Sequence, residues 1–318
     1  MATPRVRSSS MLRSPISPRA YRLITVAALV ALAAIVVSGA AVRLTGSGMG
    51  CPTWPNCEDG SLVPRGATGG HGWIEFVNRL FTGAVSVAVA LAVLGSRRRD
   101  PQRDDLTRLS WLLVAGVFSQ ALLGGLVVIL HVTPIAVAGH YLLSAVLVAV
   151  AVLLHHRASE PPGPRRAAAT PTLVRWSTAV VVLAGIVLVT GTLVTGSGPH
   201  GGDEAADRLP FDVGTVVPLH STAVWLLLGV TIFVLARAEG GDVSPAAAAR
   251  GRVLLGAIAA QGALGYLQYF TGVPEALVGL HVLGSVIVWA AALRFRLGLS
   301  EPLDELAAPV ADTAAVTA

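Results

Sequence analysis

Residues 274–288 read PEALVGLHVLGSVIV, and residues 134–148 read PIAVAGHYLLSAVLV. Each is an oily run that opens on proline and holds one imidazole, His281 or His140. The two histidines lie 141 positions apart (281 against 140), and the same offset relates QALLGGLVV (120–128) to QGALGYLQY (261–269). It pairs Gln120 with Gln261 and Gly124 with Gly265, while Pro134 and Pro274 slip by one residue. Near the start of each half, RLTGSGMG (43–50) matches LVTGSGPHG (193–201). The chain is a tandem duplication, and a duplicated unit constrains the architecture before any single element does.

The repeated unit belongs in a bilayer. Of 318 residues, 53% are hydrophobic and 13% charged, about half the charge of a soluble domain, and the mean hydropathy is +0.69. Eight runs reach the roughly 20 residues needed to cross the hydrocarbon: 23–42, 73–95, 109–130, 132–154, 177–195, 213–235, 253–274 and 276–293. Lipid tolerates only helices and closed barrels, and the alternation of a barrel is absent. The expected fold is an all-α integral membrane protein with eight transmembrane helices. Four spans return the chain to its starting side, so the two four-helix bundles are parallel and related by a pseudo-twofold axis along the membrane normal. The segments are a basic N-terminal stretch (1–22), a first bundle (23–157), a Pro- and Arg-rich linker (158–172), a second bundle (173–296) and an Ala- and Asp-rich tail expected to be disordered (297–318).

All 23 basic residues are arginine, and 19 of them fall on one side of the eight spans. Arg43, Arg65, Arg79 and Arg208 fall on the other. The positive-inside rule then puts both termini in the cytoplasm of a cell-membrane protein. It also explains the net charge of +5 without a nucleic-acid partner. Span one is read as retained rather than cleaved. The two cysteines, Cys51 and Cys57, share the long outer loop after span one, where a disulfide is permitted and is worth about 2 kcal/mol.

The eight histidines sort by depth. His155 and His156 end span four and read as solvated; His131 and His200 lie in or beside outer loops. His140, His220 and His281 sit roughly six to nine residues inside their spans, or about 9–13 Å at the helical rise. An ionisable group so deep normally faces the bundle interior and has a partner there. Two imidazoles on facing helices can take both axial positions of one haem iron, and His220 with His281 fit that in the second half. Zinc wants three or four ligands, and no carboxylate or cysteine shares that depth. A proton relay in a haem-free transporter is the competing use, and a quinol-linked membrane cytochrome b another. The first half differs: His140 matches His281, but the counterpart of His220 is Asn78, a poor iron ligand, so iron there is bound from one side. His71 substitutes only if a porphyrin moves outward. Glu75, Asn78 and Arg79, spaced i, i+3, i+4, share a helix face; Glu75 and Arg79 make either a plain surface ion pair or the mouth of the first site. Arg43 and the Gly-Ser-Gly segments at 46–48 and 196–198 are candidates to hold propionates. Gln120 and Gln261 are expected to pack between helices.

Taken together, LTGSGMGCPTWPNC with Cys51 and Cys57, IEFVNR with Glu75, and His140, His220 and His281 in their repeats resemble the haem A synthase family over residues 23 to 295. The resemblance implies oxidation of the C8 methyl of haem O, through a hydroxymethyl, to the formyl of haem A. It implies a substrate haem near Glu75 and His140, a haem b between His220 and His281, and an essential Glu75. It further implies a loop disulfide of Cys51 with Cys57, a prenyltransferase that supplies haem O, and a membrane electron acceptor. Much of the family has Glu-x-x-His-Arg where this chain has Glu75-Phe-Val-Asn78-Arg79.

Overall fold

The computed structural model describes residues 15–66, 68–238 and 243–303. Arg5, Arg7 and Arg13 of the basic stretch, and the tail beyond 303, lie outside the described residues. Eight helices follow: α1 (Pro18–Leu44), α2 (Gly70–Arg98), α3 (Asp104–Ile129), α4 (Pro134–Ala158), α5 (Pro171–Ser197), α6 (Val213–Arg237), α7 (Pro245–Phe270) and α8 (Glu275–Leu297). All eight are long and apolar enough to cross a membrane.

Local chemistry starts and stops them. Ser17, Thr170 and Ser244 each stand before a proline at the first turn and accept a hydrogen bond from a backbone N–H three residues on. This is side-chain capping combined with a proline that has no donor to leave orphaned. The helices that run back toward this end finish on basic side chains: Arg97 and Arg98, Arg157, Arg237, and Arg294 with Arg296. There they also complement the negative end of the helix dipole. At the arginine-rich end the helices overrun the eight apolar runs by several residues, because a helix keeps its own backbone bonds after it leaves the hydrocarbon.

The duplication is visible in the turns. The α3–α4 turn is closed by the Val132 N–H donating to the Val127 carbonyl (2.8 Å), and the α7–α8 turn by the Val273 N–H donating to Gln268 (2.7 Å). His131 takes the left-handed conformation (φ 50°) where Gly272 (φ 81°) stands in the second half. This six-residue closure is the Schellman arrangement, followed in both halves by the proline that begins the next helix. His131 is thereby a turn residue.

Helices α1 to α4 pack in sequence and close with α1 against α4; α5 to α8 do the same with α5 against α8. The halves meet where α4 lies on α8, flanked by α1–α8 and α4–α5 contacts. Each half has its own core: Tyr21, Leu113 and Leu154 are among the fully buried side chains of the first, and Leu227, Leu254 and Phe295 of the second. Lipid tails are as apolar as leucine, so close packing and a few polar contacts between helices hold such a bundle. Tyr21 bonds Ser110 (3.0 Å) within the first half; Tyr141 bonds Ser285 (2.8 Å), and the Trp289 indole donates to the Ala145 carbonyl (2.8 Å), across the axis.

Two expectations change at the arginine-rich end. The stretch after Leu297 is ordered as far as residue 303: strand β2 (Ser300–Pro302) pairs antiparallel with β1 (Arg165–Ala167) of the linker. Arg166 bonds Glu301 (2.8 Å) and Arg165 bonds the Ser300 carbonyl (3.0 Å). Linker and tail carry opposite charges and satisfy each other's backbone, which a reading of either alone does not reveal. Likewise His155 and His156 are half-buried and bonded rather than freely solvated: His155 bonds Thr25 (3.0 Å), and His156 faces Glu160 at 3.3 Å, because the helix ends continue to pack.

Candidate functional site

The deep histidines share one local construction. His140 on α4 rests on Gly124 of α3, where an added Cβ would stand 3.3 Å from the imidazole Cε1. His281 on α8 rests on Gly265 of α7 at 3.2 Å, and His220 on α6 rests on Gly191 of α5 at 3.3 Å. Glycine at these three positions lets the ring edge approach the neighbouring helix closely, and even an alanine would press on the imidazole. Gln120 and Gln261 repeat as well, each donating its amide to the backbone carbonyl of His140 (3.0 Å) or His281 (2.7 Å). The glutamines therefore hold the histidine-bearing turns, more than mere packing between helices.

Ring orientation follows from the nitrogens. His220 Nδ1 lies 3.0 Å from Thr190 Oγ1, and that hydroxyl also reaches the Ile186 carbonyl at 3.0 Å. Donating its one proton to the carbonyl, the hydroxyl accepts from Nδ1–H, which is the tautomer whose Nε2 lone pair is open to a metal. His140 Nδ1 and His281 Nδ1 are buried without a hydrogen-bond partner. Among the described residues no protein hydrogen bond reaches Nε2 of any of the three. His220 and His281 lie within electrostatic reach of each other. No group of three or more His, Cys, Asp or Glu gathers to hold a bare metal ion among the described residues. Paired imidazoles with free Nε2 atoms suit an iron that brings its own equatorial ligands, as a porphyrin does.

The fourth position completes the comparison. Asn78 on α2 accepts a hydrogen bond from Ser38 of α1 (2.7 Å), as His220 meets Thr190 of α5. Gly39 follows Ser38 as Gly191 follows Thr190, yet a Cβ on Gly39 would meet nothing within 4 Å. The seat for a ring is present and the ring is not. Aligning the halves on Gly-Ser-Gly hides this pair, because Ser38–Gly39 stands two residues farther from that motif than Thr190–Gly191 does.

Glu75 lies under the outer loop, 6% exposed. One carboxylate oxygen accepts from the Cys51 N–H (2.7 Å) and the other from Arg79 (2.6 Å). Arg79 also donates to the carbonyls of Cys51 (3.1 Å), Thr53 (3.2 Å) and Asn56 (2.9 Å). The loop is closed by the disulfide Cys51–Cys57. Glu75 and Arg79 are thus more than a surface ion pair: they anchor the disulfide loop to α2. His71, one turn before Glu75, bonds Ser47 through Nδ1 (2.9 Å) and is exposed. Arg43 donates to the Thr195 carbonyl (2.8 Å), joining the ends of α1 and α5, with Arg208 nearby. His200 bonds the Val273 carbonyl (2.8 Å) and fastens its loop to the α7–α8 turn.

Comparison with known proteins identifies a family and several relatives. The COX15-CtaA family model, described as cytochrome oxidase assembly protein, matches residues 22–70 and 66–293. The chain is 32% identical over 182 residues to a protein named heme A synthase from Lysinibacillus sphaericus (strain C3-41), a match covering 55% of this chain and 58% of that one. It is 34% identical over 133 residues to one of the same name from Shouchella clausii (strain KSM-K16), covering 42% and 44%. A third, from Shewanella oneidensis, is 27% identical over 180 residues, covering 51% of each. The chain spans about half the length of the relatives it matches.

Proposed function

The chain belongs to the COX15-CtaA family of cytochrome oxidase assembly proteins, and from that premise we propose that it is a haem A synthase. It oxidises the C8 methyl of haem O, through a hydroxymethyl, to the formyl of haem A. The observation that carries the reading is the threefold seat, in which His140, His220 and His281 each lie on a glycine of the neighbouring helix.

In the second half, His220 and His281 are the residues that would hold a haem b. A haem there supplies reversible one-electron chemistry. The two halves press together along α4 and α8, which keeps the sites at fixed separation. In the first half, His140 binds the substrate haem and Asn78, bonded to Ser38, leaves its other face open. Glu75 supplies a carboxylate at the mouth of this site, to take up protons or to stabilise positive charge as the methyl is oxidised. Arg79 keeps that carboxylate oriented. Arg43, with Arg208, offers cationic donors to propionates at the same end. Both termini face the cytoplasm, the disulfide end faces outward, a prenyltransferase supplies haem O, and a membrane carrier takes the electrons.

The direct test is extraction and mass analysis of haems from cells that express this chain beside a haem O source. Haem A accumulates if the proposal is right; unchanged haem O beside folded protein rejects it. A plain membrane cytochrome b leaves Glu75 without a role, so loss of haem A in Glu75→Ala with an intact spectrum rejects that alternative. A Soret band that loses its second-half component in His281→Ala rejects a haem-free proton transporter.

A further inference from the structure

The repeat offsets also compare the flanks of the two sites. Gly125, next to the glycine that seats His140, corresponds to Tyr266, next to the glycine that seats His281 (266 against 125). Gly83 on α2 corresponds to Trp225 on α6, by the offset that relates Asn78 to His220 (225 against 83, 220 against 78). In the second half these two positions are bridged: the Trp225 indole N–H donates to the Tyr266 hydroxyl at 3.1 Å, tying α6 to α7 with both side chains half-exposed. In the first half both are glycine, so the helices carry no such bridge. A Cβ on Gly83 would meet nothing within 4 Å. A Cβ on Gly125 would stand 2.7 Å from the Trp54 ring, so the Trp54 indole fills the place from outside.

Trp54 comes from the disulfide loop. The loop reaches α3 because Cys51–Cys57 closes it and because Glu75 and Arg79 hold it at Cys51, Thr53 and Asn56. Both halves therefore have an aromatic side chain beside a histidine seat, built into the helices in one and delivered by a loop in the other. An aromatic face beside a flat macrocycle contributes packing beyond its buried area. A wall fixed on two helices suits a cofactor that stays. A wall on a loop suits a substrate that must enter and leave through the same bundle.

We propose that Trp54 is the removable wall of the first porphyrin site, a positioning residue that sets how long the substrate haem remains, as Tyr266 and Trp225 do permanently in the second. This rests on the functional reading above, in which each half takes a porphyrin. The experiment is haem transfer from the purified holoprotein to excess apo-globin, followed by absorbance as two kinetic phases. The phase missing in His140→Ala marks the first half. Trp54→Ala is expected to speed that phase about tenfold and to leave the other unchanged, with Trp54→Phe near wild type. Tyr266→Ala is expected to speed only the second phase. A first-half phase within twofold of wild type in Trp54→Ala overturns the inference, as does equal acceleration of both phases, the mark of general loosening. A first half that never holds porphyrin overturns the functional reading, and this inference with it.

Discussion

The two halves are one design carried out twice, and what separates them is which groups are anchored. In the second half every element of the proposed site is part of a helix: two imidazoles, their glycine seats, and the hydrogen-bonded pair Trp225–Tyr266. In the first, one imidazole is replaced by Asn78, the wall is lent by Trp54, and Glu75 is buried beneath a disulfide loop. On the proposed reading, the difference teaches that a duplicated bundle becomes a cofactor site by closing and a substrate site by leaving positions open.

The sharpest way to break this comparison is to remove an imidazole. His281→Ala is expected to abolish the second-half haem and leave the first-half haem in place; absorbance spectra and haem counts per protein check it. Next is Glu75→Gln, expected to lower haem A formation about 100-fold or more, the low end of proton-transfer contributions, with haem content unchanged; product mass analysis decides. The glycine seats predict an effect that differs between halves. Gly265→Ala presses on the His281 ring and is expected to weaken second-half haem binding about tenfold, in line with modest overpacking. Gly39→Ala, facing open space, is expected to leave the first-half haem unchanged. Titration of apoprotein with haem measures both. The smallest effect is local: Cys51→Ser with Cys57→Ser removes about 2 kcal/mol of loop restraint. It is expected to speed proteolysis within the loop at 51–66 while cleavage elsewhere stays at the wild-type rate.

Much of the fold was legible in the sequence because hydropathy and duplication are both linear signals. The eight runs, the pairing of His140 with His281, and Gly124 with Gly265 could be read without coordinates. The strand pair between linker and tail could not, since it joins Arg165–Ala167 to Ser300–Pro302 over a long separation. The site was partly legible. The deep histidines stood out because imidazole is costly in hydrocarbon, and Asn78 stood out as their missing counterpart. The seats Ser38–Gly39 and Thr190–Gly191 were not seen, because small and hydroxyl residues are common in membrane helices and this pair shifts by two between repeats. Glu75 stands out in the sequence as a carboxylate, but its bond to the Cys51 N–H depends on a loop fold that spacing does not encode. Trp54 has no signal apart from the one glycine it covers, Gly125.

The central claim is that iron is gripped from both sides in the second half and from one side in the first. Carbon monoxide binding to the reduced, haem-loaded protein tests it most directly. The account predicts that about half of the haem binds carbon monoxide, and that this fraction disappears in His140→Ala, with its haem, and in Asn78→His, where a ring fills the seat at Gly39. Wild-type protein whose haem binds no carbon monoxide, or whose carbon monoxide binding survives Asn78→His undiminished, would contradict it.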